Sequence, residues 1–456
     1  MYEQYELNQE RHSGSWSNIL FAYNSIRFCR YGILKRKKSR PHYNNTLAMF
    51  QNYFKTSIRN LFKQKFYFLL NTFGLSIGIA ASLLCYLHLS YEMSYDKYIP
   101  NSDDTYRLVT GDVKGGDGWV RVSAPMPVKL KEQIPEISNY ARVSNITRDP
   151  KITVAHDNVL FSEDKFYLAD PSILDKFGFN LLRGDRSQVL SDLNSVIISQ
   201  STAKKYFNEG DPIGKTLRVD DKNDFLITGV FEDIPFNAHY DFDFLISFEN
   251  LERLIPGTSL SSNWGQFNYF AYLQLTPGSS LAEVQSKIQK AEINIGSNRN
   301  FDLSSIAIQP LLEIHFVENP GNIKPAYNFN YIYIYGAIAL AILFISFINF
   351  VNLTIANSTK RLKEVGVREV VGASKGQLVL QFITESFLIV IMATAVALLL
   401  SQLLFIPAIN DLLNSRVSLT FLDPLLLMVI AILLLLISLS SGGYIAFFII
   451  QTIWML

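Results

Sequence analysis

A membrane protein with four transmembrane α-helices, carrying a large α+β domain inserted between the first and the second, is the fold class this sequence predicts. Three observations predict it. Four apolar runs are each long enough to cross a bilayer, a long segment of mixed character separates the first from the rest, and basic residues flank the runs unevenly. Composition agrees, with 49% hydrophobic residues against 18% charged and a mean hydropathy of +0.15, as suits a water-soluble part attached to several spans. A net charge of +1 creates no global field, so nucleic acid is not an expected partner. The two cysteines, Cys29 and Cys85, give no disulfide framework, and Cys85 lies inside an apolar run.

The spans follow in order. Phe66–Tyr91 is free of formal charge over 26 positions, with His88 near its end. Pro325–Thr359 is likewise uncharged and most apolar over 334–356. Phe387–Ile406 gives 20 uncharged residues after Glu385, and Pro424–Leu456 is uncharged throughout. About 20 apolar residues cross a bilayer core, so each qualifies. Lys55, Arg59, Lys63 and Lys65 precede the first span, whereas Glu92 and Asp96 follow it. Lys360, Arg361, Lys363, Arg368 and Lys375 lie between the second and third, against only Asp411, Arg416 and Asp423 between the third and fourth. The positive-inside rule then puts the amino-terminal part and 360–376 in the cytoplasm, and residues 92 to about 330 outside. The first run begins too late and runs too long for a cleavable signal peptide, so it is expected to remain as an anchor.

The stretch FQNYFKTSIRNLFKQK, within 49–65, gathers Phe50, Tyr53, Phe54, Ile58, Leu61 and Phe62 on one helical face and Lys55, Arg59 and Lys63 on another. It reads as an amphipathic helix lying on the inner leaflet. Residues 1–48 show no comparable pattern beyond the basic cluster LKRKKSR at 34–40, and are expected to be a disordered extension or a misassigned start ahead of Met49.

The segment RLKEVGVREVVGASKGQL, 361–378, is charged and punctuated by glycine between two spans. Glu364 and Arg368 form an i, i+4 pair in the favourable order, while Gly366 and Gly372 each cost about 1 kcal/mol of helix propensity. Close approach by another surface and a solvated positive-inside loop explain this spacing equally well. Within the spans, Ser346, Asn349 and Asn352 recur at i, i+3, and Glu385 lies at the inner end of the third. Such groups usually face other helices, and Gly74-x-x-x-Gly78 offers a close helix–helix contact.

Residues 92–324 mix strand-like runs, SVIIS (195–199) and FLITGVF (225–231), with helix-like runs, PMPVKLKEQI (125–134), QSTAKKYF (200–207) and LAEVQSKIQKAEINI (281–295). They read as α+β. No catalytic or metal constellation emerges. GDPIGKT (210–216) has Glu209 where a phosphate-binding loop needs its first glycine, and His156, His239 and His315 lack ligand spacing. Asp241 and Asp243 in HYDFDF are expected to share a solvated strand face. The chain is therefore not expected to be an enzyme, nor to need a cofactor.

KRLKEVGVREVVGASKGQLVLQFITESFL (360–388), preceded by FINFVNLTIANS (347–358), resembles the permease family that includes the MacB-like and FtsX-like subunits of ABC transporters. NYFKTSIRNLFKQKFYFLLNTFGLSIGIA (52–80) looks like that family's first span. FYLADPSILDKFGFNLLRGD (166–185), NSVIISQSTAKKYFNEGDPIGKTL (194–217) and FLITGVFEDIPFNAHYDFDFLISF (225–248) look like its periplasmic domain. The resemblance covers essentially 49–450 and implies a helix at 66–91, a periplasmic MacB-like domain at 92–330 and an FtsX-like permease domain at 331–456, in a bacterial inner membrane. It implies a separate cytoplasmic ABC ATPase partner docking at or near Arg361, Glu364, Gly366, Arg368 and Gly372. Gly74, Gly78, Asn349, Asn352 and Glu385 would pack helices. ATP-driven motion would pass to the periplasmic domain, exporting amphiphilic, peptide-like or antimicrobial cargo, with a periplasmic adaptor and an outer-membrane channel among the partners. The wording is closest to long, duplicated Bacteroidetes-type members, which implies a first half whose second half is missing or replaced by another copy. A signal transmitter acting on a periplasmic cell-wall hydrolase, and a nonfunctional half, are the competing readings.

Overall fold

The computed structural model describes residues 46–111, 118–145, 151–157, 159–176, 178–294, 300–358, 365–367, 371, 374–413, 415–420 and 423–455. Of the segments read above, 1–45 lie outside these residues, as do Arg361, Glu364, Arg368 and Gly372.

Helix α1 (Thr46–Lys63) is followed at once by α2 (Lys65–Glu92), the first span. The amphipathic face of α1 is only partly covered by protein: Leu61 is buried, Ile58 half-buried and Phe54 exposed. Three further long apolar helices close the chain: α8 (Asn330–Ser358), α9 (Lys375–Leu400) and α11 (Pro424–Met455). With α2 they are the four helices, among the described residues, long and apolar enough to cross a membrane. Beyond Leu400, α9 passes through a π turn, Ser401–Phe405, into the short α10 (Ile406–Leu413). Proline at 407 explains the widened turn, because it supplies no N–H and its ring would strike the carbonyl four residues back. The third apolar segment therefore runs to Leu413, seven residues past the Ile406 end expected from sequence.

The inserted domain is built on one mixed sheet. Its strands are β1 (Thr105–Thr110), β2 (Ile137–Asn145), β3 (Ile152–His156), β4 (Val159–Glu163), β5 (Phe166–Ala169), β6 (Leu181–Arg183), β7 (Ser195–Ser199), β8 (Thr216–Val219), β9 (Asn223–Phe231), β10 (Phe244–Ser247), β11 (Phe270–Leu275) and β14 (Ile306–Pro310). Their order is β14-β1-β11-β2-β5-β10-β7-β9-β8-β3-β4, with β6 also on β9. A separate pair, β12 (Ile293–Asn294) and β13 (Asn300–Phe301), lies between β11 and β14 in the chain. Two pairs are parallel, β10 with β5 and β7 with β9, and the rest of the sheet is antiparallel.

The central strands are apolar on both faces because both faces are covered. In β7, Val196 and Ile198 join one core while Ile197 joins another; in β10, Phe244 and Ile246 divide from Leu245 in the same way. This is the strand period of two feeding two cores. Burying each such side chain contributes roughly 1.5–3 kcal/mol. Short helices cover the faces: α3 (Met126–Gln133), α4 (Ser172–Lys176), α5 (Gln200–Phe207), α6 (Asn250–Leu254) and α7 (Leu281–Lys290). The Ser199 hydroxyl caps α5 by accepting the Thr202 N–H at 3.3 Å, and Val284 and Ile288 of α7 join Met126 and Leu130 of α3 in a third core. The helix expected over 281–295 thus ends at Lys290, and its last residues turn into β12.

Candidate functional site

Two groups of side chains tie helix ends together, one in each of the chain's two compact units. In the unit holding residues up to Phe73, 349–393 and 428 onward, polar atoms join helix to helix. Glu385 of α9, 9% exposed, accepts a hydrogen bond from Asn60 Nδ2 of α1 at 3.2 Å and from Gln381 Nε2 at 3.3 Å. Tyr67 of α2 donates to Thr354 Oγ1 of α8 at 2.9 Å, and the Thr354 hydroxyl in turn donates to the Phe350 carbonyl at 2.7 Å. Asn357 Nδ2 donates to Gln64 Oε1. An unsatisfied polar group in hydrocarbon costs several kcal/mol, so such pairs fix which helix faces meet.

Glycine supplies the close contacts. A Cβ at Gly78 of α2 would sit 2.0 Å from Ser346 Oγ of α8, and beside it Ser82 Oγ donates to the Ala339 carbonyl at 2.9 Å. A Cβ at Gly442 of α11 would meet the Ile383 Cα of α9 at 2.6 Å. Gly442 was not among the residues the sequence singled out; its lack of a GxxxG partner hid it. Asn349 and Asn352, by contrast, are exposed on α8, so within this chain only Ser346 of that i, i+3 series is directed at another helix.

The described residues of the segment 360–376 show a different feature from the one its charges suggested. Val365 is buried with Leu378 and Phe382, against Ile355 and Val379. Val367 and Val371 are 63% and 82% exposed, and the Val371 N–H donates to the Val367 carbonyl at 3.0 Å. One turn is thus anchored by a buried valine and shows two others at i, i+4. A Cβ on Gly366 would meet nothing within 4 Å, so the glycine leaves open space beside that pair. The charged periodicity drew attention away from the valines.

The second group lies where α2 leaves its apolar run. Glu92 Oε2 receives His315 Nε2 at 2.6 Å, and the ring of Tyr95 stacks on His315 with centroids 3.4 Å apart. The Tyr327 N–H donates to the His315 carbonyl at 2.7 Å, which ties in the approach to α8. Four residues on, Asp96 is fully buried with φ of 59°, a left-handed conformation that aspartate tolerates better than most. Its Oδ1 accepts both the backbone N–H of His239 at 3.0 Å and ring Nδ1–H at 2.9 Å. That tautomer leaves Nε2 to accept the Tyr272 hydroxyl at 2.8 Å. Burial raises the Tyr272 phenol well above its ordinary range and pulls the neighbouring Arg107 guanidinium, bonded to Gln309 Oε1 at 2.7 Å, down to about 10. Asp96 and His239 are 143 positions apart, so no local motif could have announced them.

One expectation is corrected. Asp241 and Asp243 do share one face, but it is half-buried rather than solvated. They lie in the approach to β10 and converge on Lys165 Nζ, at 2.7 and 3.9 Å, and burial raises the Asp243 carboxyl. GDPIGKT runs from α5 into β8, a helix–loop–strand order opposite to that of a phosphate-binding loop.

Four span-length helices with a mixed-sheet domain inserted after the first are the architecture of a multi-pass membrane protein. The family description "MacB-like periplasmic core domain" matches residues 68–291, and "FtsX-like permease C-terminal" matches 336–453; the chain belongs to the MacB/FtsX-like permeases of ABC transporters. It is similar to the "Macrolide export ATP-binding/permease protein MacB" of Neisseria gonorrhoeae, 25% identical over 217 residues, 48% of this chain and 31% of that protein. It is also similar to the "Uncharacterized ABC transporter permease YvrN" of Bacillus subtilis, 22% identical over 352 residues, 73% of this chain and 81% of that one. The matched region spans about a third of the Neisseria relative's own length. A solved domain of a permease protein from Porphyromonas gingivalis is 28% identical, covering 46% of this chain and 92% of that one, with a TM-score of 0.39. The periplasmic region of MacB from Actinobacillus actinomycetemcomitans is 14% identical, covering 42% and 84%, with a TM-score of 0.34.

Proposed function

We propose that this chain is the permease subunit of a bacterial inner-membrane ABC transporter. A separate cytoplasmic ATPase drives motion of its inserted domain, which faces the periplasm, and the cargo is amphiphilic or peptide-like. The amino terminus and the 360–376 segment face the cytoplasm on this reading. Export of a small amphiphile is favoured by the Neisseria relative, which is named for macrolide export. Support for docking rests on the turn at Val365, with its buried anchor and its two exposed valines. Buried apolar side chains inside a polar rim dominate most protein interfaces, and in the sequence Arg361, Glu364 and Arg368, with Gly366 and Gly372, flank these valines. The exposed amides Asn349 and Asn352 on α8 suit a second permease copy or a second half as membrane partner.

Co-purification with the ATPase encoded beside the gene tests this. Val367→Ser/Val371→Ser should reduce ATPase recovery at least tenfold, more than Glu364→Ala/Arg368→Ala, because rim charges contribute less than a buried apolar centre. Recovery equal to wild type in both double variants would remove the docking role from this segment.

A further inference from the structure

A cavity of about 440 Å³ adjoins the outer ends of the membrane helices, lined by Tyr91 at the end of α2, the loop 233–237, Lys165, Lys324 and Arg416. Over its whole lining three basic residues, Lys165, Lys324 and Arg416, match three acidic ones, Asp233, Asp241 and Asp243, but the pairing is uneven. The acids are already engaged. Asp241 and Asp243 hold Lys165, Asp243 also accepts the Ser199 hydroxyl at 3.1 Å, and Asp233 accepts the Ser201 N–H at 2.8 Å at the start of α5.

Lys324 and Arg416 meet instead at Phe236. Lys324 Nζ donates to the Phe236 carbonyl at 3.3 Å, and the Arg416 guanidinium lies 4.1 Å from the centre of the Phe236 ring. Among the described residues, neither cation forms an ion pair with a carboxylate. Burial lowers the Lys324 ammonium from its ordinary value, and the nearby Asp241 carboxylate, already held by Lys165, offsets this only in part. Phe236 itself is 44% exposed, so its ring offers apolar surface to the same space.

We propose that this cavity binds an anionic amphiphile. Its carboxylate or phosphate lies between Lys324 and Arg416, and its apolar body lies on Phe236. The assignment deepens the permease reading, on which its role in transport rests, by naming a site and a charge for the cargo. Two donors of different shape, a point charge and a planar fork, can share one acidic headgroup, and the aromatic ring disfavours a free inorganic anion.

The test uses the full chain in phosphatidylcholine nanodiscs, without any ATPase, and two fluorescent probes. N-dansyl-6-aminohexanoate and dansylcadaverine share a ring and a similar tether but end in opposite charges. The anionic probe should bind at least tenfold more tightly, as charge-assisted hydrogen bonds imply. Lys324→Gln and Arg416→Gln should each weaken it about tenfold, Arg416→Glu should reverse the preference, and Lys215→Gln, on an exposed loop, should change nothing. Thermal unfolding of each variant separates lost binding from lost folding. Equal affinity for the two probes, or wild-type affinity in both glutamine variants, would overturn the proposal. Displacement by phosphatidylglycerol doped into the disc would identify a membrane source, and displacement only by soluble octanoate an aqueous one; displacement by neither would also overturn it. Probe binding in a chain that recovers no ATPase would sink the permease reading and leave the site standing.

Discussion

Asp243 shows how a single residue reports its surroundings. Burial raises its carboxyl, with Lys165 opposing the shift from 3.9 Å. An acid whose folded pKa is raised contributes stability that is fully present below its ordinary value and lost as pH rises through the raised one. At neutral pH the charged form is therefore a burden. Asp243→Asn should leave the unfolding temperature at pH 7 equal or higher, and should flatten the acidic limb of its pH profile; a drop of several degrees at pH 7 would contradict this. Asp96 is the opposite case. Its Oδ1 holds His239 twice, so Asp96→Ala would strand two buried N–H donors and should cost about 1–3 kcal/mol for each, read as a lower denaturation midpoint. Asp96→Asn keeps an acceptor and should recover part of that loss.

At the scale of elements, the Gly78 contact makes the sharpest prediction. Gly78→Ala places a methyl group 2.0 Å from Ser346 Oγ, so α2 and α8 must separate locally, at a cost of about 1–3 kcal/mol. Ser346→Gly should rescue it, and a double-mutant cycle in detergent measures the coupling. Glu385→Ala should be similarly harmful, because it leaves the Asn60 and Gln381 amides without their shared acceptor. Here the sequence was informative to an uneven degree. The four spans could be read directly, because about twenty apolar residues in a row have few other uses. Runs such as SVIIS were recognisable as strands, yet nothing in them states that β7 pairs in parallel with β9 and antiparallel with β10. Strand partners are chosen by complementary surfaces distant in sequence. The valines at 367 and 371 escaped notice because the charges around them dominated the period.

Over the whole molecule, the architecture expected from sequence is the one observed: four span-length helices, with a mixed-sheet domain between the first and second. What sequence could not supply is the way that domain is fastened. In the unit that holds the sheet, the five residues from Glu92 to Asp96 are attached at His315, at His239 and at Asn237, whose side chain donates to Ser94 Oγ at 2.9 Å. A chain held to a body at a single point can swivel there, so only a pull along its axis is felt. Held at two points, it cannot swivel about either. A rotation of α2 about its own long axis would therefore become torque on the sheet domain, and only a stretch cut back to one attachment would hinge where there is now a key in a lock.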